Sequence, residues 1–164
     1  MSSQAVKELL NRPVDAAEYQ EIRRLWLAHS LAEDRRDIPG LMATLTEDCV
    51  YHMPQTGDIW HGKPGATEFY TGMLAAFPDV HFDLVNIVIG PQGVWEEALV
   101  SATHTGSWIG YEPSGHHIEM RVAILFPWDR ARHLFLGERI HLESDEMLRG
   151  DQPTRLHHAQ PGQP

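Results

Sequence analysis

Two glutamates stand among apolar residues in stretches whose alternation is typical of β-strands, and a carboxylate in such a place can transfer protons. Glu96 falls on the apolar side of the stretch 94–106, and Glu138 falls on the apolar side of the stretch 133–143. Burial raises the pKa of a carboxyl group toward the range that is useful for proton transfer. Either glutamate could therefore be a general base, and the alternative for each is a salt bridge with an arginine at a strand edge.

Histidine, with 11 copies, is the second residue type that could do acid–base chemistry near neutral pH. His29 follows Ile22 and Trp26 at helical spacing, so it belongs to the buried stripe of a predicted helix. It could act in a pocket, or it could be a core histidine whose ring bonds to a backbone carbonyl. His104 lies at the end of a predicted strand, where it could contact a substrate or hold the next loop by hydrogen bonds.

The histidines do not have the spacing of a metal site. His116-His117 and His157-His158 are adjacent pairs, and no His-x-His or helical His-x-x-x-His pair has a carboxylate partner. The sequence also has no glycine-rich phosphate loop. We therefore predict no metal and no cofactor.

Three predicted helices come first along the chain. Asp15, with Glu18 three residues later, has the spacing of a capping box, and the first helix closes at the charged run 33–36. Asp37 can cap a short second helix. The third helix opens at 62–64, where a proline suits the first helical position.

Strands follow the helices. A first strand is predicted at 49–53, and from Val80 the hydrophobic period changes to two, which predicts strands at 80–89, 94–106, 117–126 and 133–143. Helices followed by consecutive hairpin strands indicate the α+β class. We expect residues 1–14 to be an N-terminal leader, 15–145 to be the domain and 146–164 to be a flexible C-terminal tail.

Composition limits the partners and the compartment. The chain has 164 residues, enough for one domain with a real core, and its formal net charge of −10 argues against binding nucleic acid or an anionic membrane. Cys49 is the single cysteine, so no intramolecular disulfide can form. The first residues do not predict a signal peptide, and no apolar stretch reaches membrane-spanning length. A cytoplasmic location is expected.

Several phrases of the sequence, together with the order of the predicted elements, resemble a known group of proteins. The phrases are Val50–Pro54, Trp60–Gly65, Ala76–Val80 and Thr103–Gly106. The chain is similar to the nuclear transport factor two-like superfamily and, within it, to the SnoaL-like polyketide cyclase and ester cyclase group. Over roughly residues 15–145 the resemblance implies a cone-shaped, curved antiparallel or mixed sheet that wraps around three N-terminal helices and leaves an apolar pocket.

The resemblance also implies where a reaction would take place. His29 falls where related ketosteroid isomerases carry a tyrosine that donates to the substrate oxygen, so a donor or base is expected there. The aspartate base of those isomerases aligns with Met53, and their acid lies near Val122. Because neither position holds a carboxylate, steroid isomerisation is not expected, and Tyr51 and Met53 become expected pocket walls.

We therefore hypothesise a cofactor-independent cyclase, isomerase or lyase that binds a small apolar carbonyl compound and transfers a proton next to the carbonyl. Its expected catalytic residues are His29, His104, Glu138 and Glu96, and its expected substrate-binding residues are Trp26, Tyr51, Met53, Met73, Phe77, Trp108, Val122 and His141. The alternative is a non-catalytic ligand-binding or dimerisation module of the same fold. The resemblance adds the expectation of a homodimer.

Overall fold

The computed structural model describes residues 3–143, and these form helices that precede or interrupt a six-stranded sheet. Along the chain the elements are α1 (Gln4–Leu10), α2 (Ala16–Asp34), α3 (Ile38–Ala43), β1 (Leu45–Met53), β2 (Asp58–His61), α4 (Gly62–Ala76), β3 (His81–Gly90), β4 (Gly93–Thr103), β5 (His117–Asp129) and β6 (Leu134–Leu142). The expected tail, 146–164, lies outside the described residues. The expected leader contains the short helix α1.

The strands form a single curved, unclosed sheet in the order β2-β1-β6-β5-β4-β3. All neighbouring strands are antiparallel except β1 and β6, which are parallel. Helix α4 packs against β1 and β2, and α2 packs against β3 and β4. The expected α+β architecture, with helices inside a curved mixed sheet, is thereby confirmed.

Helix α2 begins at the predicted cap but does not complete the capping box. The Asp15 side chain accepts a hydrogen bond from the Glu18 backbone N–H at 2.8 Å. The Glu18 carboxylate turns away and binds Arg130 and the Trp128 indole N–H instead. The hydrogen bond with Arg130 lowers the pKa of Glu18. The start of α2 is therefore fixed to the turn between β5 and β6.

The strands differ from the prediction at several places. Strand β1 begins at Leu45 instead of residue 49, and β2 was not predicted because four residues are too short to show alternation. Strand β2 forms because it pairs with β1, with Tyr51 opposite Trp60. Strand β4 ends at Thr103, so His104 belongs to the following loop.

The core fills the space between the helices and the concave face of the sheet. Alternation along β5 buries Ile118, Met120, Val122 and Ile124, while Glu119 and Arg121 are exposed. The outer face of the sheet carries Trp95 and Leu99, which are exposed apolar residues. Homodimerisation remains a prediction. Within residues 3–143, no helix combines the length and the hydropathy needed to cross a bilayer.

Candidate active site

A buried carboxylate on β6 is the centre of the candidate site. Oε1 of Glu138 accepts hydrogen bonds from the Tyr70 hydroxyl at 2.7 Å and the Tyr51 hydroxyl at 2.8 Å. The same oxygen lies 3.0 Å from Nε2 of His29. All four side chains are buried, with Glu138 only 4% exposed. Three polar groups from three other elements thus converge on one oxygen.

Sheet register explains how Tyr51 and Glu138 meet. They are direct neighbours across the parallel pair of β1 and β6. Both face the concave side, since Tyr51 alternates in phase with Met53 and Glu138 with Ile140. His29 approaches from the buried stripe of α2 and Tyr70 from the buried stripe of α4.

The hydrogen bonds also define the protons on the imidazole of His29. The single hydroxyl hydrogen of Thr44 is directed at the Leu41 carbonyl, at 2.7 Å. The Thr44 oxygen therefore accepts from Nδ1–H of His29, at 2.6 Å. A bare Nε2 would set its lone pair against those of the Glu138 carboxylate, so a proton lies between them. The two side chains therefore form a buried hydrogen-bonded pair.

An apolar cavity adjoins the carboxylate. Its charged lining residues are Glu33 and Glu138, and the remaining lining residues are Phe69, Met73, Phe77, Val80, Phe82, Val100, Ala102, Trp108, Ile118, Met120, Val122, Ile124, Ile140 and Leu142. The cavity is narrow, with a volume of about 60 Å³. Several water molecules, or a thin apolar molecule, could occupy it.

Four of the expected substrate-binding residues line this cavity: Met73, Phe77, Trp108 and Val122. Tyr51 lies behind the lining, where it binds Glu138, and Met53 is fully buried in the core. His141 does not face the cavity. It lies on the outer face of the sheet with its ring 5.8 Å from that of Trp95, because it alternates out of phase with Ile140 and Leu142.

Glu96 lies in a separate polar cleft between α2 and the sheet. Its Oε2 accepts a hydrogen bond from the Trp26 indole N–H at 2.7 Å, so its partner is an indole and not an arginine. Burial, reinforced by the charge of Glu138, raises the pKa of Glu96 to about 7. The cleft has a volume of about 210 Å³ and is lined by Trp26, His29, Ser30, Glu33, Asp34, Phe82, Leu84, Glu96, Ala98 and Phe126. Trp26 thus contributes to the cleft and not to the apolar cavity.

His104 is fully buried beside the cavity but does not line it. Its ring stacks on Phe77, with the centroids 4.9 Å apart, and Nδ1 accepts from the Ser114 backbone N–H at 3.5 Å. The His104 backbone bonds to His116 and Gly115. These contacts fix the loop that carries Trp108. Burial lowers the pKa of the imidazole.

The sequence analysis missed three polar residues of this region. Tyr70 was visible as part of the buried stripe of the third helix, and Thr44 gave no signal. Glu33 lies four residues after His29 on α2, which places both on one helix face, but it was assigned to the charged run that closes the helix. Burial and the charges of Glu138 and Glu96 raise the pKa of Glu33 well above its ordinary value.

The two tyrosines remain hydrogen-bond donors. Burial, followed by the nearby charge of Glu138, raises the pKa of both Tyr51 and Tyr70 well above the ordinary value. Their hydroxyls therefore keep their protons and stabilise negative charge on Glu138. Within residues 3–143, no three His, Cys, Asp or Glu side chains converge in a way that could hold a metal ion.

A wider groove elsewhere is a poorer candidate. It opens to solvent at the start of α2 and has a volume of about 1030 Å³. Charged residues in its lining already pair with each other, as in Glu18 with Arg130 and Glu21 with His133. The buried cavity beside Glu138 is therefore the candidate active site.

Comparison with known proteins agrees with this architecture. A protein from Xanthomonas campestris, assigned as a polyketide cyclase, has a TM-score of 0.69 and 17% identity over 82% of this chain and 99% of its own. A protein from a Jannaschia species, assigned as a SnoaL-like polyketide cyclase, has a TM-score of 0.68 and 16% identity over 87% of this chain and 97% of its own. An NTF2-like protein of unknown function from Burkholderia pseudomallei has a TM-score of 0.67 and 15% identity over 79% of this chain and 95% of its own.

These identities are low, so the similar structures support the fold alone. No curated protein matches the sequence. A family model described as the SnoaL-like domain matches residues 24–131, which include α4 and most of α2 and of the sheet. The chain therefore belongs to the SnoaL-like domain family.

Proposed function

We propose that the protein is a cofactor-independent cyclase, isomerase or lyase that transfers a proton next to the carbonyl group of a small apolar compound. The observation that carries the proposal is the pair of Glu138 and His29, 3.0 Å apart and buried beside an apolar cavity. Glu138 lines the cavity and is the proton-transferring group. His29 lies outside the cavity lining and carries the charge opposite to that of Glu138.

The cost of burying this pair supports an enzyme over a simple binding protein. Two ionisable side chains lose their hydration when they are buried, and replacing such a pair by apolar residues is often neutral or stabilising. A protein that only bound an apolar molecule would gain nothing from a carboxylate in the cavity wall. Catalysis by proton transfer requires one.

The geometry changes the role expected for His29. The sequence analysis assigned it a direct hydrogen bond to the substrate oxygen. Its Nδ1 contacts Thr44 and its Nε2 contacts Glu138 and Tyr70, so neither nitrogen is free to meet a ligand. In the proposed mechanism His29 positions Glu138 and neutralises its charge, while the carboxylate itself meets the substrate.

The cavity favours a small, flat, apolar substrate. Its apolar walls exclude water from the carboxylate, which strengthens electrostatic interactions with the reacting group. The assignment of two similar structures as polyketide cyclases supports a carbonyl compound of polyketide type. A larger substrate would require movement of the loop that carries Trp108, the residue that links this loop to the cavity wall.

Hydrogen–deuterium exchange tests the proposal. A panel of small apolar ketones and diketones is first screened by thermal shift, since a ligand of the native state raises its stability. Exchange of the hydrogens next to the carbonyl is then followed by NMR in D₂O. We expect the wild type to accelerate exchange and Glu138→Gln to lose on the order of 100- to 10,000-fold of that acceleration.

A matched variant controls for folding. Glu119→Gln changes an exposed glutamate on the outer face of β5 and should exchange like the wild type. Glu138→Gln is compared at a temperature where its circular dichroism equals that of the wild type. Ligands that bind without any acceleration of exchange would contradict the enzyme and support the non-catalytic binding module.

A further inference from the structure

We propose that Glu33 is a second catalytic residue of the same site, which donates a proton to the carbonyl oxygen while Glu138 removes the proton from the adjacent carbon. This inference rests on the proposed function. It assigns to Glu33 the part that an acid plays in general acid–base catalysis. No co-reactant is needed, because both protons remain on the enzyme and its substrate.

Position is the first argument. Glu33 and Glu138 are the ionisable residues in the lining of the apolar cavity, and they come from different elements, one from α2 and the other from β6. A thin carbonyl compound between these elements could meet one carboxyl group at its carbon and the other at its oxygen. The rest of the lining offers apolar contacts.

The different surroundings of the two carboxyl groups are the second argument. Glu138 receives two hydroxyl donors and the imidazole of His29, which suit a negative charge. Glu33 faces carboxylates: Glu138 from β6, Glu96 from β4 and the adjacent Asp34, with Arg36 as the opposing cation. Glu33 is half-buried, and its partial loss of hydration together with these negative charges favours its neutral form. Two carboxyl groups in such contrasting environments divide naturally into a base and an acid.

The polar cleft is the third argument, because it connects Glu33 to water. Glu33 lines both the apolar cavity and the cleft, whose lining also includes Ser30, Asp34 and Glu96. A proton lost to the substrate can therefore be replaced through the cleft.

The reaction balances as follows. The carbon–hydrogen bond breaks and its proton moves to Glu138, while the electron pair forms a carbon–carbon double bond. The carbonyl oxygen takes the proton of Glu33, and an enol and a Glu33 carboxylate result. The proton on Glu138 can return to carbon and the enol proton to Glu33, which restores the carbonyl group and the enzyme. In D₂O, exchange of the Glu138 proton with solvent before that return places deuterium on the carbon.

Substitution of Glu33 tests the inference with the exchange assay and a ketone that binds the wild type. We expect Glu33→Gln to keep binding within about threefold by thermal shift and to lose at least about 30-fold in exchange rate, since an amide cannot give up a proton to the carbonyl oxygen. Glu33→Asp should recover part of the rate. Glu97→Gln, which changes a residue on the opposite side of β4, should match the wild type.

The pH profile separates a catalytic acid from a structural residue. In the wild type the exchange rate should fall at high pH, where Glu33 loses its proton, and this decline should be absent from Glu33→Gln. A Glu33→Gln variant with the rate and the pH profile of the wild type would overturn the inference. If Glu138→Gln is inactive in that case, the proposed function stands and only the role of Glu33 fails; exchange that needs neither residue overturns both.

Discussion

Gly137 and Val50 face each other across the parallel strands β6 and β1 with no room for a side chain between them. A Cβ atom on Gly137 would lie 2.2 Å from the carbonyl oxygen of Val50. The φ angle of Gly137 is +109°, which L-residues with a side chain rarely adopt. The next residue along the strand is Glu138. The backbone that places the Glu138 carboxylate therefore depends on a glycine.

Replacing Gly137 with alanine should strongly destabilise the fold. We expect Gly137→Ala to lower the free energy of unfolding by at least about 3 kcal/mol, because backbone strain and a steric clash add together. Urea denaturation measures the loss. Gly57→Ala is the control, since Gly57 also has a positive φ, +83°, but a Cβ atom added there would meet nothing within 4 Å. Equal losses in the two variants would show that the contact with Val50 is unimportant.

Removing either tyrosine hydroxyl should destabilise the folded protein, because each hydroxyl stabilises the negative charge on Glu138. Tyr51→Phe and Tyr70→Phe should each lower the free energy of unfolding by about 1.5–3 kcal/mol, the range for hydrogen bonds to charged groups. Because both hydroxyls bind the same oxygen, the double variant should depart from additivity. Tyr19→Phe, at an exposed position on α2, is the control. Losses no larger than that of Tyr19→Phe would contradict the charged carboxylate.

Glu96 should make the protein less stable as the pH rises. Its pKa in the folded protein is about 7 against an ordinary 4.5, so the native state binds the extra proton, and stability declines as the pH rises between these values. Glu96→Gln removes the titration and still accepts the Trp26 hydrogen bond. We expect it to exceed the wild type by roughly 1–3 kcal/mol at pH 8 and to equal it near pH 4.5, measured by urea denaturation. A constant difference between the two pH values would contradict this.

His104 should act in the opposite direction. Burial lowers the pKa of its imidazole below the ordinary 6.5, so its contribution to stability is present above that pH and is lost as the pH falls. His104→Phe keeps a ring against Phe77 but cannot titrate. The wild type should therefore lose stability relative to His104→Phe on acidification below about pH 6.5. Parallel unfolding curves at every pH would exclude the titration of His104 as a cause.

Local periodicity predicted the separate parts of the site but not their assembly. Alternation placed Glu138 on the inner face of its strand, and helical spacing placed His29 on the buried stripe; both placements match the structure. Their contact spans 109 residues and depends on the parallel pairing of β1 and β6, which no local pattern encodes. The alternation of residues along β6 also places His141 on the outer face of the sheet. The structure agrees with this alternation and not with the substrate contact that was expected for His141.

Glu33 shows why the rest was difficult to predict. A glutamate followed by aspartate and two arginines is typical of an exposed helix end, and composition outweighed its spacing from His29. The carboxylates of Glu96 and Glu138 that act on it lie on β4 and β6, which come far later in the sequence. The family and the curved sheet could be predicted because short phrases and element order suffice for them. The protonation of a residue depends on distant charges.

The order of residues along the chain has a consequence for the synthesis of the protein. The three partners of Oε1 of Glu138 precede it by 109, 87 and 68 residues. On the ribosome, strand β6 emerges after His29, Tyr51 and Tyr70. The contacts of β6 with these residues join parts of the chain that are far apart in sequence, so they form later than local contacts do. A nascent chain that stops before β6 would leave the polar side chains of His29, Tyr51 and Tyr70 without their Glu138 partner, so we expect such a chain to be less stable than the full domain.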